Sequence, residues 1–242
     1  METTNVSTYS FFLLFLGCSA AHAADASDAY FNGQSLSPDQ LEQQQQLAAQ
    51  QNKLFMLVLG ADWCQDSRAL AEQFQQPEFA QQLAQRFVVN YVDVGYLEHG
   101  FSVTNYYGQP TYYGTPTVII IDPVTGRVLN KSDWQQWTNA ASYGEQAYRI
   151  YFLEQEFEPL PFSAANKAFE DYQAQRVRAG FAVAGDMLEA YMESSATEPS
   201  AEFSELWAEL GRFRNQVFND VIDYHVASDE FPNYPEQSWE KE

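Results

Sequence analysis

Two short motifs constrain this chain more than anything else in it. In Trp63-Cys64-Gln65-Asp66-Ser67 a thiol stands at the start of a stretch with helical spacing. In Gly114-Thr115-Pro116-Thr117, about fifty residues further on, a proline turn opens a strongly apolar strand. The first turn of a helix offers backbone N–H groups that lack intrahelical partners, together with the positive end of the peptide dipoles. Both favour a thiolate over a thiol, and the thiolate is the form that attacks sulfur.

The residues around the motifs supply an alternating set of elements. Ser37-Pro38-Asp39-Gln40 reads as a helix start, with a capping serine, proline at the first helical position and an acidic first turn. The Gln-rich run that follows keeps a thin apolar face through Leu41, Leu47 and Ala48, which favours helix over low-complexity coil. Residues 54–59 are a continuous apolar run, suited to a strand buried on both faces. Gly60-Ala61-Asp62 breaks it, and residues 63–75 have helical spacing through Leu70 and Phe74. Strands are expected at 87–94 and 117–121, the latter turning through Asp122-Pro123-Val124-Thr125-Gly126 into a hairpin partner at 127–129. A helix is expected over 143–156 with Ala147, Ile150, Tyr151 and Leu153 on one side.

Leu160-Pro161 marks a boundary. Beyond it the pattern is helical over about 163–192, broken at Glu198-Pro199-Ser200. A second helix follows, carrying Phe203, Leu206, Leu210, Phe213, Val217, Val221 and Tyr224 as an apolar stripe. This pair is expected to form a hairpin packed on the preceding domain; a stripe that binds a partner is the alternative. The organisation is therefore a leader over 1–23, a linker over 24–36, a first domain over 37–158, a helical hairpin over 159–228 and a loose tail over 229–242.

A formal charge of −21 argues against nucleic acid, whose phosphates require a basic face, and against docking on anionic lipid. Near the start, Phe11-Phe12-Leu13-Leu14-Phe15-Leu16 followed by small residues and Ala21-His22-Ala23 fits an export signal, and the run is too short to span a bilayer. The expected location is the periplasm or the exterior, with no transmembrane segment once the signal is removed. Phe15-Leu16-Gly17-Cys18 leaves a second option, a lipoprotein anchored through Cys18. Cys18 and Cys64 are the only cysteines. Loss or acylation of Cys18 would leave Cys64 as a single free thiol, either reactive or buried.

The stretch from about residue 37 to 156 resembles the thioredoxin-like superfamily. Ala61-Asp62-Trp63-Cys64 is similar to the Ala-x-Trp-Cys segment that leads into that family's active-site helix, and Gly114-Thr115-Pro116-Thr117 is similar to the loop whose proline is cis. The resemblance implies an α/β thioredoxin-like fold, a central mixed sheet flanked by helices, to which this chain adds a C-terminal α-helical hairpin. It places Cys64 and Ser67 in the catalytic site, with Trp63, Thr115 and Pro116 binding substrate, the Thr115 backbone pairing with an extended peptide. Ser67 stands where the family keeps a second, resolving cysteine, so an outside thiolate has to release Cys64 from a mixed disulfide. The family's buried acid falls at Val58 and its lysine at Val89, so neither titrating group is present. Around Cys64, Arg68 would help a thiolate by pointing back, Asp66 opposes one, and Ser67 is a candidate hydrogen-bond donor to the sulfur.

Tyr96, Phe101, Tyr106, Tyr107, Tyr112 and Tyr113 crowd the approach to Pro116 and suit either peptide binding or packing of the insert. His99 and His225 are isolated, so neither metal nor cofactor is assigned. The expected activity is monothiol exchange at Cys64 on thiol- or disulfide-containing proteins, with an external reducing thiol or redox partner. The alternative is a redox-silent binding or chaperone-like module. A glutathione-dependent transferase lacks a distinctive basic residue to grip the tripeptide's carboxylates.

Overall fold

The computed structural model describes residues 29–223 and 231–241. The export signal, the acylation option at Cys18, and Tyr224 and His225 lie outside them. A three-stranded mixed sheet in the order β2-β1-β3 is the centre of the first domain. Strand β1 (Leu54–Gly60) runs parallel to β2 (Phe87–Asp93) and antiparallel to β3 (Thr117–Ile121), with Leu57 opposite Asn90 on one side and Ile119 on the other. Helices cover both faces, so β1 and β3 are almost wholly buried and their unbroken apolar runs follow.

Helix α1 (Pro38–Gln50) starts at a capping box in which Ser37 Oγ accepts from the Gln40 N–H and the Gln40 side chain accepts from the Ser37 N–H. Helix α2 (Gln65–Gln75) follows β1, and α3 (Pro77–Arg86) leads into β2. The sequence reading omitted α3, although Pro77 at its first turn and the Phe79/Leu83 pair, both buried, are ordinary helix signals. A short α4 (Phe101–Tyr106) lies in the insert after β2.

Three expectations change. The strand partner at 127–129 shrinks to a single bridge between Ile121 and Val128. The Leu129 N–H still donates to the Ile120 carbonyl, and beyond it Asn130 continues along the edge of β3: its Oδ1 accepts from the Ile120 N–H at 2.8 Å and its Nδ2 donates to the Val118 carbonyl at 2.9 Å. The helix over 143–156 is α5 (Glu145–Tyr148) running into a π-helical turn at Arg149–Glu154. The wider turn rotates the inward face, so Tyr148, Tyr151 and Phe152 are buried around Trp137 while Ile150 is exposed. Residues 29–36, read as part of a linker, carry Phe31 fully into the core.

Beyond the sheet, α6 (Ala164–Glu193), capped by Ser163, and α7 (Ala201–Asp223) pack as a hairpin. Phe203, Leu206, Leu210, Phe213, Val217 and Val221 of α7 are buried. The insert is the surface they meet. Tyr112 stacks between Phe101 at 5.0 Å and Phe181 of α6 at 5.2 Å, and Tyr113 meets Phe218 of α7 edge-on at 5.3 Å. Gly185 brings α6 so close that a Cβ there would sit 2.2 Å from the Tyr96 carbonyl oxygen. Most of the tyrosine cluster is thus interdomain packing; Tyr106 alone among the insert's rings is largely exposed. Residues 231–241 correct the expectation of a loose tail. Arg176 holds Glu240 through two bonds of 2.5 and 2.7 Å, and Trp239 packs on Phe213 at 5.6 Å while donating to the Arg176 carbonyl.

Candidate thiol site

Cys64 sits at the cap position of α2, directly after the turn that ends β1. The buried β1 delivers the chain to the C-terminal edge of the sheet. Asp62 then fixes the turn, its carboxylate accepting from the N–H groups of Tyr30, Phe31 and Asn32. The sulfur makes no capping bond; Cys64 Sγ donates to the Thr115 carbonyl at 3.5 Å. The Thr115–Pro116 peptide is cis, and Thr117 Oγ1 closes the same loop by donating to the Gly114 carbonyl at 2.7 Å. The structure therefore brings Cys64, Thr115 and Pro116 together from two widely separated motifs. Cys64 keeps 9% of its surface exposed.

Trp63 is held beside the thiol by its indole N–H, which donates to the Gly95 carbonyl at 2.7 Å, and by an edge contact with Trp207 of α7 at 6.3 Å. Ser67 is placed differently from the expectation. Its hydroxyl is completely buried without a hydrogen-bond partner and lies under Gly60, where an added Cβ would be 2.7 Å from Ser67 Oγ and 2.5 Å from the Phe31 ring. One turn into α2, it faces the sheet and not the sulfur. Arg68 also turns elsewhere, donating to the Asp62 carbonyl at 2.5 Å, and Asp66 accepts from the Ala141 N–H at 2.9 Å.

The basic group near the thiol is Arg214, which the sequence reading did not single out. Its Nη1 is 3.3 Å from the point a Cβ on Gly114 would occupy, next to the loop that touches Cys64 Sγ. Arg214 lies 5.9 Å over the Phe181 ring and is half-buried, with its Nε sealed and unpartnered. Burial pulls the guanidinium below the ordinary arginine value, and Cys64 and then Tyr112 act against that pull. The Tyr112 hydroxyl is likewise buried without a partner; burial, then Glu98, push it well up, with Arg214 and Arg178 opposing. Arg214 falls on the line of Trp207, Leu210, Val217 and Val221 along α7. A charge at a position that helical spacing reserves for the core was the available signal.

A fold built on β2-β1-β3 with a lone thiol at the helix start and a cis proline opposite defines a thioredoxin-like domain. Residues 37–123 match the family described as thioredoxin-like, and this segment of the chain is a thioredoxin-like domain with a C-terminal helical region attached. Among solved structures, the crystal structure of a disulphide isomerase from Xylella fastidiosa Temecula1 is similar at 24% identity and a TM-score of 0.48, over 52% of this chain and 96% of that one. No curated protein matches the chain. Among the described residues no cluster of His, Cys, Asp and Glu could hold a metal ion, and no helix is long and apolar enough to cross a membrane.

Proposed function

We propose that this protein carries out monothiol exchange on the cysteines of other proteins through Cys64. The observation that carries the reading is the 3.5 Å contact between Cys64 Sγ and the Thr115 carbonyl at the N-terminus of α2. The peptide dipoles of α2 stabilise a thiolate there, and the backbone of the cis-proline loop offers an edge to an extended substrate. The thiolate attacks one sulfur of a substrate disulfide, a Cys64–substrate bond forms, and the other substrate sulfur leaves as a thiolate. Ser67 cannot resolve this mixed disulfide, so one of two outside attacks has to. Either a second substrate thiolate attacks the bonded substrate sulfur and returns Cys64, or an external thiolate attacks the Cys64 sulfur and frees the substrate as a thiolate, and a second external thiol then returns Cys64 as the external disulfide leaves. The first route isomerises a disulfide; the second reduces it. Trp63, held at the rim, supplies an apolar contact for the substrate. The apolar run at 11–16 with Ala21-His22-Ala23 supports a leader over 1–23, and with it an activity outside the cytoplasm, in the periplasm or beyond, or on a membrane through Cys18.

Ellman's reagent tests the reading on the full chain. The native protein should release one more equivalent of thionitrobenzoate than its Cys64→Ala variant, and a cystine-containing peptide should give a mixed disulfide at Cys64 visible by mass spectrometry. Equal release from both proteins refutes the proposal. The 9% exposure of Cys64 favours a second reading, a thioredoxin-like scaffold with an inert thiol, and equal release supports it.

A further inference from the structure

We propose that Arg214 of α7 is the counter-charge of the Cys64 thiolate, so that the C-terminal hairpin is part of the thiol site and not an appendage to it. This rests on the reading of Cys64 as a nucleophile and extends it to a residue outside the thioredoxin-like segment. Helix α7 crosses the site in register. Trp207 touches Trp63, the residue before the thiol, and two turns later Arg214 reaches Gly114, the residue before Thr115. The helix is therefore brought to both loops at the thiol, and the guanidinium to the one whose Thr115 carbonyl takes the bond from Sγ.

Its surroundings leave it without an answering charge. Arg214 Nε is buried and unpartnered, and no ion pair among the described residues includes this arginine. The other charges near the thiol are already engaged. Asp62 accepts from three backbone N–H groups, Asp66 accepts from Ala141, and Arg68 donates to the Asp62 carbonyl. Around Tyr112, Asp93 accepts from Gly33 and Gly95, and Arg178 lies 4.1 Å over Phe101 and donates to the Pro110 carbonyl. Glu98 contacts His99 at 3.4 Å on the exposed side. A half-buried cation whose Nε is sealed from water gains from an anion that answers it. Loss of the Cys64 proton creates that anion against the Gly114-Thr115 loop, which Arg214 reaches at Gly114. The same proton loss frees the Thr115 carbonyl to accept from a substrate N–H.

Alkylation of Cys64 in the full chain by iodoacetamide, followed peptide by peptide across pH, tests this with Arg214→Met and Arg214→Lys. A nearby opposite charge moves a titration by about one pH unit or more. Arg214→Met should shift the alkylation profile up by about one pH unit, with about a tenfold lower rate on its rising part, while the plateau at high pH stays unchanged. Arg214→Lys should recover most of the wild-type profile. The plateau reports access to the sulfur and the midpoint reports charge, so a purely structural role would move the first and not the second. Superimposable profiles for wild type and Arg214→Met overturn the inference and leave the thiol reading standing. So does an Arg214→Lys profile that follows Arg214→Met while its thermal melt stays native. A wild-type Cys64 that reacts only in urea overturns both.

Discussion

Replacing Lys131 with methionine should show how firmly the hairpin is fastened to the sheet domain. Lys131 lies in the loop after β3 and Glu170 lies in α6, so their ion pair joins the two units. The lysine Nζ is 2.7 and 2.6 Å from the two Glu170 carboxylate oxygens and 2.6 Å from Gln109 Oε1; Tyr113 donates to the same carboxylate at 3.0 Å. The two charged side chains are 8% and 3% exposed. Methionine keeps the stem of the side chain and removes the charge, leaving Glu170 with Tyr113 as its remaining donor. Breaking one side of a buried pair costs about 3–5 kcal/mol, because the remaining charge stays desolvated. The pair borders a cavity of about 330 Å³ through which water can reach the stranded carboxylate, so the lower end of that range, about 3 kcal/mol, is expected. In a domain of this size that is a fall in Tm of roughly 6–12 °C. Urea titration and thermal circular dichroism read it directly. Lys131→Met/Glu170→Leu should regain most of the loss, since an apolar pair is often as stable as a buried ionic one. A cost below about 1 kcal/mol for the single variant, or a double variant no better than the single, refutes the argument that desolvation of Glu170 governs this contact.

Two further outcomes follow from groups at the site and the tail. Ser67→Ala removes a buried hydroxyl that has no partner, so stability should rise by about 1 kcal/mol and Cys64 alkylation should stay within about twofold of wild type; a tenfold loss of reactivity would show that the hydroxyl does serve the sulfur. Arg176 holds the Glu240 carboxyl, and Ser238 the Glu209 carboxyl, below the ordinary value of 4.5. A carboxyl depressed on folding contributes stability that is complete above the unfolded value and is lost as pH falls through the folded one. Hydrogen exchange of residues 231–241, corrected for intrinsic rates, should therefore be protected at pH 6 and lose protection as pH falls below the ordinary value of 4.5, ahead of the centre of α6. Equal loss in both segments would place the tail within the global unfolding unit.

What the sequence disclosed and what it hid divide along the range of the interactions. Ser37 and Gln40 cap each other three residues apart, and residues 54–59 and 117–121 carry enough apolar length to be strands buried on both faces; both patterns are local and were legible. Trp63-Cys64 and Thr115-Pro116 announced a meeting of distant loops because each motif stood beside its own strand. The positions that misled were those where a contact from elsewhere decided the geometry. The ladder of Arg127-Val128-Leu129 was cut short at Asn130, whose amide takes the next bonds along β3, the inward face over 148–152 was set by Trp137, and Ser67 was claimed by Gly60 and Phe31.

Charge at buried positions carries the remaining information. Periodicity marks which face of α6 and α7 turns inward, but it does not say what that face meets. Glu170 and Arg214 both interrupt inward faces, and their different fates are instructive. Glu170 is met by Lys131, Tyr113 and their neighbours, a closed set of donors and acceptors that accounts for the carboxylate being there. Arg214 has the Phe181 ring beneath it and the Gly114 loop beside it, and among the described residues no carboxylate pairs with it. A guanidinium costs too much to desolvate for apolar packing alone to account for it. Among the described residues the ionisable groups set against it are the Cys64 thiol and then the Tyr112 hydroxyl; a thiol gives up its proton more readily than a phenol, so the sulfur is the group by which the hairpin and the thiol would form one site.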